Sequence, residues 1–223
     1  NGESMQANEL SPIAEADSSL SSLAHRAISQ MIYQRQLKGG EIIVEARIAD
    51  MLGISRTPLR EALQRLEGEG LVAKTSNRSF VVRQVDLIEY LQSLKVLEFL
   101  EPEAAALAVG RVHPGALRSL RAEIENAKAE HKIPPETMMQ IEEAVQALYT
   151  DHCGNAALRQ TIRSLRLTTR LFGELRWSSR KEKSLADLLA IVEAFEAEDV
   201  KRVRRAVQQH LKARHRCALS LMS

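Results

Sequence analysis

Aromatic residues make up only 4% of this 223-residue chain, which has a single Trp, two cysteines, six prolines and ten glycines. Each shortage excludes something. Cys153 and Cys217 lie far apart, with no C-x-x-C and no His at zinc-finger spacing, so a disulfide framework and a zinc ribbon are excluded and a reducing cytoplasm is the expected home. With so little Gly and Pro the chain lacks turn material for an all-β sandwich or barrel. No apolar run approaches the roughly 20 residues that cross a bilayer, and no basic-then-apolar leader opens the chain, so neither membrane association nor export is expected. An excess of one charge is missing too, since 31 Lys+Arg face 29 Asp+Glu for a formal net charge of +2.

What is present is 44% hydrophobic and 27% charged residue content, rich in Leu, Ala, Glu and Arg. That excludes disorder, supplies one large core or two cores of about 100 residues each, and favours helix. Asn1 to Ser4 precede the first Met, Met5, and read as a cloning or cleavage remnant; residues 1–18 are expected to be a flexible polar N-terminus.

Leu20, Leu23, Ala24, Ala27, Ile28, Met31 and Ile32 recur at helical spacing behind Ser18 and Ser19, which are placed as caps, and Gly39-Gly40 ends this first helix. Residues 41–44 are β-branched but too few to establish a strand. A second helix opens near Glu45, Gly53 supplies a turn, and Ser55 is placed to cap a third helix with Pro58 in its first turn. Leu59, Ala62, Leu63 and Leu66 form that helix's apolar stripe, leaving Arg56, Thr57, Arg60 and Gln64 on the solvent face. Gly70 closes it, and residues 71–83 read as a hairpin with Asn77 and Arg78 at its tip.

This order is a helix-turn-helix followed by a wing. Arg can donate twice to a guanine edge or reach a phosphate, Gln can pair with adenine, and small hydroxyls suit phosphates at a helix N-terminus. Between Arg26 and Arg83 ten basic residues face six acidic ones, so a basic head is averaged against a net-negative remainder. A solvated helix face would show the same pattern of charge.

The string from Ile48 to Val72, above all Ser55-Arg56-Thr57-Pro58-Leu59-Arg60-Glu61-Ala62-Leu63, closely resembles the winged helix-turn-helix of GntR-family transcription regulators over residues 19–83. The resemblance implies operator contacts by Ser55, Arg56, Thr57 and Arg60, with Arg47, Gln64, Asn77 and Arg78 as further candidates. Ala46 stands where related chains carry an Arg, with Arg47 one place later, and Ser79 replaces the usual wing-tip Gly.

Residues 84–223 resemble the FCD effector domain of the FadR-type branch, through Glu98-Phe99-Leu100-Glu101-Pro102-Glu103-Ala104-Ala105 and Gly154-Asn155-Ala156-Ala157-Leu158. Helices are expected over residues 87–109, 115–129, 136–152, 157–177, 183–196 and 199–221, with Pro102 kinking the first. The fold class is therefore mainly α, a winged helix-turn-helix with a small β-hairpin followed by an antiparallel helical bundle. FCD domains commonly hold a divalent metal on an Asp and three His, and the matching positions here are Glu142, Gln146, Leu188 and His210; only Glu142 and His210 could ligate. Leu97 stands where an effector-binding Arg is often found. The resemblance thus implies a pocket formed by Leu97, Glu142, Gln146, Leu188 and His210, with no cofactor or metal, for a small effector that is less acidic or partly apolar. The alternative is a vestigial or filled cavity with His210 hydrogen-bonded inside the bundle.

Other residues read structurally. Arg159, Arg163, Arg166 and Arg170 are expected on a solvated or interdomain face, Cys153 and Cys217 as buried thiols, and Trp177 at a helix end or subunit contact. His25, His113, His131, His152 and His215 form no i, i+4 chelating pair. The expectation is a cytoplasmic homodimeric regulator, a repressor, binding a palindrome in double-stranded DNA under the control of a metabolite. The alternatives are a ligand-insensitive dimeric DNA-binding protein and a metal-dependent helical enzyme.

Overall fold

A computed structural model describes residues 11–130, 133–172 and 181–220. The chain divides into two units at the Val85–Asp86 peptide. The first contains α1 (Ser11–Tyr33), β1 (Ile42–Ile43), α2 (Glu45–Leu52), α3 (Arg56–Glu69), β2 (Val72–Lys74) and β3 (Phe80–Val82). The second contains α4 (Leu87–Ala108), α5 (Pro114–Ala129), α6 (Pro135–Thr150), α7 (Ala156–Phe172), α8 (Lys181–Glu196) and α9 (Val200–Leu219). Trp177 and His131 lie outside the described residues, so the expectations for them are not addressed. Among the described residues no helix is long and apolar enough to cross a membrane.

In the first unit, the four-residue spacing of Ala24, Ile28 and Ile32 turns one face of α1 into the core, against α3. Leu59, Ala62, Leu63 and Leu66 are fully buried on α3 as their spacing predicts, and each such Leu contributes on the order of 1.5–3 kcal/mol. Gly53 (φ 65°) and Gly70 (φ 82°) end α2 and α3 in the left-handed region, where a side chain would be strained. The strands pair antiparallel in the order β1-β3-β2, with Ile43 opposite Phe80 and Val72 opposite Val82, so the short segment at 42–43 is a strand.

Three expectations about α1 are corrected. It begins at Ser11, leaving Ser18 and Ser19 inside the helix and unable to cap it; Ile13, Ala14, Glu15 and Ala16 are compatible with helix, and Pro12 is tolerated in a first turn. It ends at Tyr33, before Gly39-Gly40, because Arg35 turns left-handed (φ 61°) while the Gln36 and Leu37 N–H groups fold back onto the Met31 carbonyl. Leu20 and Leu23 stay exposed; the core face of α1 starts at Ala24.

In the second unit α4 is central, with α6, α7 and α9 packed on it, while α8 packs on α5 and α9. Asp86 and Asp199 cap α4 and α9, accepting from the Glu89 and Arg202 N–H groups at 2.7 and 3.0 Å. Pro102 is buried inside α4, which runs on to Ala108.

Candidate nucleic-acid interface and the buried polar network

Ser55 occupies the N-cap of α3 with extended backbone, yet its hydroxyl makes no capping hydrogen bond. The expected cap is corrected, and the reason is local. An N-cap oxygen accepts from the second or third helical residue, and with Pro58 third, only the Thr57 N–H is a possible donor, a contact the Ser55 side chain does not make. The Ser55 side chain is exposed at the α3 N-terminus, without a capping hydrogen bond.

Arg56, Thr57, Arg60 and Gln64 are all exposed and share the α3 face opposite its buried stripe. Sequence reasoning missed the residue that orients one of them. Arg60 Nε donates to Glu45 Oε2 at 2.7 Å, from α3 to the first turn of α2. That contact uses Nε and not the two terminal nitrogens, the pair with which a guanidinium can donate twice to one planar partner. Arg47, exposed on α2, lies 3.6 Å from Glu41.

Asn77 and Arg78 are exposed at the wing tip. The Arg78 N–H donates to the Thr75 carbonyl at 3.0 Å and the Thr75 N–H to the Ser79 carbonyl at 2.8 Å, closing a tight turn. The turn demands a left-handed residue, and Arg78 takes it (φ 62°). A cationic side chain thus occupies a backbone position that Gly normally fills, at a cost of about 1 kcal/mol.

The second unit departs further from expectation. Arg166, expected on a solvated or interdomain face, is nearly buried and forms a two-pronged ion pair with Glu101, which is fully buried in the same unit. The Tyr149 hydroxyl donates to Glu101 at 2.8 Å. Burial opposes the charge on Arg166, but the Glu101 carboxylate outweighs it and raises the guanidinium pKa; burial and that carboxylate hold the Tyr149 phenol well above its usual range. Arg170 pairs with Glu143 at 2.7 Å, while Arg163, exposed, pairs with Asp151. Arg163, Arg166 and Arg170 share spacing but not environment.

Glu142 Oε2 accepts from Arg214 Nη1 at 2.8 Å, both side chains nearly buried, and Ser184 also reaches Glu142 at 3.4 Å. Arg214 further hydrogen-bonds Tyr90, and Glu142 raises its pKa against the cost of burial. Leu97 and Leu188 are packed in the hydrophobic core, His210 is buried on α9, and Gln146 is half-buried on α6. These residues do not fit a divalent cation: Leu188 has no donor atom, and the Glu142 carboxylate already holds a guanidinium. The metal-ligand pattern read from the sequence does not include Arg214, which lies one turn beyond His210. Arg166 Nη1 is buried and makes no hydrogen bond among the described residues.

Cys153 is buried, its thiol donating to the Thr150 carbonyl at 3.3 Å, whereas Cys217 is only half-buried. A cleft of about 260 Å³ lies among Gly110, Val112, Pro114, Leu117 and Phe195, and includes none of the five residues expected to form an effector pocket.

Residues 20–82 match the family described as "Bacterial regulatory proteins, gntR family", and residues 92–213 match the FCD domain. The "Nta operon transcriptional regulator" of Aminobacter aminovorans is 30% identical over 68% of this chain and 72% of its own. An HTH-type transcriptional regulator of Bacillus subtilis, YdhC, is 26% identical over 62% of each. Among solved structures, E. coli McbR/YncC superposes with a TM-score of 0.77 at 20% identity, covering 92% of this chain and 99% of that one. A GntR regulator from Rhodococcus gives 0.67 at 18% identity, covering 91% and 98%. These relatives are regulators rather than enzymes, so the metal-dependent enzyme reading falls. The chain belongs to the GntR family of transcriptional regulators, with a DNA-binding winged helix-turn-helix and a C-terminal FCD effector domain.

Proposed function

We propose that the protein acts in the cytoplasm as a homodimeric repressor that reads a palindromic operator in double-stranded DNA, and that a small metabolite in its FCD domain sets operator affinity. Arg56, Thr57, Arg60 and Gln64 contact base edges, Ser55 meets phosphate at the α3 N-terminus, and Arg47, Asn77 and Arg78 meet backbone or groove on either side. The observation that carries this reading is the α3 face itself: four exposed polar side chains beside an N-terminus without a side-chain cap, with Arg60 held by Glu45. One such head makes few contacts, so two-fold repetition supplies a specific site. Occupying the operator excludes polymerase without any contact to it, which favours repression.

The ligand in this reading is partly apolar and binds without metal. In this reading Gln146 and His210 supply polar atoms and the Glu142–Arg214 pair a protein cation in place of a metal ion, beside the buried Leu97 and Leu188 side chains. Buried Arg166 Nη1 calls for one acceptor on the ligand. The ligand can change operator affinity only by binding the two arrangements of the heads unequally. Thermal-shift screening with release of bound operator tests it: a compound that raises the melting point and also shifts DNA affinity is the effector.

The full burial of Leu97 and Leu188 favours a second reading, a filled pocket and a ligand-insensitive DNA-binding protein. No stabilising compound in a broad metabolite screen, with operator binding intact, would select it.

A further inference from the structure

We propose that the outward face of α9, in the FCD unit, is a second DNA contact that grips phosphate through Lys201, Arg205, Lys212 and Arg216 and reads no sequence. It goes beyond the contacts proposed above for α3, which belong to the other unit. Within α9 there are seven Lys and Arg residues and no Asp or Glu. The bundle accounts for three of the seven. Glu193 of α8, Glu103 of α4 and Glu142 of α6 hold Arg202, Arg204 and Arg214 at 3.2, 2.7 and 2.8 Å. The other four, Lys201, Arg205, Lys212 and Arg216, are exposed and make no ion pair among the described residues. At 3.6 residues per turn they fall within an arc of about 60° and extend about 22 Å along the helix. Val203, Val207 and His210 are buried on its opposite side.

A face that is only solvated is built differently. Solvated helices mix the two signs, and acid–base neighbours four residues apart support them. Here Lys201 and Arg205, and again Lys212 and Arg216, are like charges four residues apart, which oppose the helix. Lys201 also stands in a first turn that carries no acid, against the helix dipole. The helix holds these charges at a cost in stability that an anion on the outside removes.

The composition of the face selects the anion. Between Lys201 and Arg216 its exposed side chains are cations and the amides of Gln208 and Gln209, groups that donate to phosphate oxygens, and none is apolar. A protein partner calls for an aromatic or apolar centre, from which Lys is depleted. A membrane-surface helix needs its apolar face free, and that face of α9, with Val203, Val207 and Leu211, is buried in the bundle. A DNA duplex needs neither, because it offers one negative charge for about every 1.7 Å of its axis. The other unit already brings duplex to the chain, so a weak second contact acts at high local concentration.

Anisotropy titrations on the full chain over a series of salt concentrations test this, with circular dichroism and a melting curve as the check on folding. The DNAs are the selected operator, the same operator with flanks of about 15 base pairs, more than twice the length the face spans, and random duplexes of equal length. Arg205→Gln/Lys212→Gln is expected to bind less tightly, with a salt slope about two units shallower, and to keep the ratio of operator to random-sequence affinity, which Arg60→Ala lowers. A loss confined to the flanked operator assigns the phosphates to the operator's own flanks. A second binding step on the short operator, present in the wild type and absent from the variant, assigns them to a separate duplex. The control Arg118→Gln/Lys128→Gln removes two exposed cations from α5 of the same unit and is expected to leave the slope unchanged. A slope that the α9 variant leaves unchanged on every DNA, or that the control lowers as much, overturns the proposal while leaving the α3 reading intact. A wild type that binds duplex but selects no operator overturns the α3 reading and leaves α9 to be decided on random duplex alone. Should the central variant fail to fold, Lys201→Gln/Arg216→Gln at the ends of the stripe decides by the same criterion.

Discussion

Arg60 on the recognition helix is anchored through its Nε to the carboxylate of Glu45 on the preceding helix, 2.7 Å away. Arg60 is well exposed and Glu45 mostly buried, so the acid is the fixed partner and the base the presented one. An orienting carboxylate lowers the freedom that a guanidinium would otherwise lose on meeting a base. Glu45→Ala should therefore reduce the ratio of operator to random-sequence affinity by roughly 10-fold, while random-sequence affinity holds or rises because a negative charge has left the DNA-facing side. Anisotropy titrations on both DNAs check this; a uniform loss on both would instead make Glu45 a folding residue.

The wing gives a prediction with two signs. Arg78 carries a left-handed backbone that Gly adopts freely. Arg78→Gly should raise stability by up to about 1 kcal/mol and weaken DNA binding, with a salt slope about one unit shallower if Arg78 meets a phosphate. Urea denaturation and a salt series of affinities measure the two effects, and a destabilised Gly variant would contradict the strain.

The sequence made the first unit largely legible, and the limits are instructive. Gly53, Pro58 and Gly70 punctuate locally, and the α3 stripe needs only one helix's periodicity. Ser55 misled because a capping residue type does not guarantee the bond, and Pro58 three places on removes one of its two possible donors. Arg166 misled because its partner Glu101 is 65 residues away, and an Arg at four-residue spacing looks the same on either face of a helix. Arg214 was invisible from the metal-ligand pattern, which asks only what stands at four positions and not what reaches into them from the next turn.

The buried network gives an alkaline prediction. Burial, then the Glu101 carboxylate, raise the Tyr149 pKa well above 10.0. A phenol with a raised folded pKa contributes stability that is full below its unfolded pKa of about 10 and is lost as pH climbs through the folded value. Stability should therefore decline above about pH 10, and Tyr149→Phe should decline less steeply. Urea midpoints from about pH 8 to 11.5 on both proteins decide it; parallel curves would remove Tyr149 from the network's energetics.

Glu142 and Arg214 form a nearly buried pair in which each needs the other. Arg214→Met alone should cost about 3 kcal/mol or more by leaving a carboxylate uncompensated, while Glu142→Leu/Arg214→Met should recover much of that loss. The same pairing predicts that protein purified without chelator holds far less than one equivalent of tightly bound divalent metal. Near-stoichiometric metal by elemental analysis would contradict it.

The central claim is that α3 reads the operator. Its most direct measurement is an anisotropy titration on the DNA selected from random sequence by the wild-type protein, repeated with Arg56→Ala and Arg60→Ala. Selection of a palindrome, with each variant losing on the order of 1–3 kcal/mol and relaxing preference at one position per half-site, is the expected result. Selection of a specific site to which Arg60→Ala binds with unchanged affinity and unchanged preference would contradict the account.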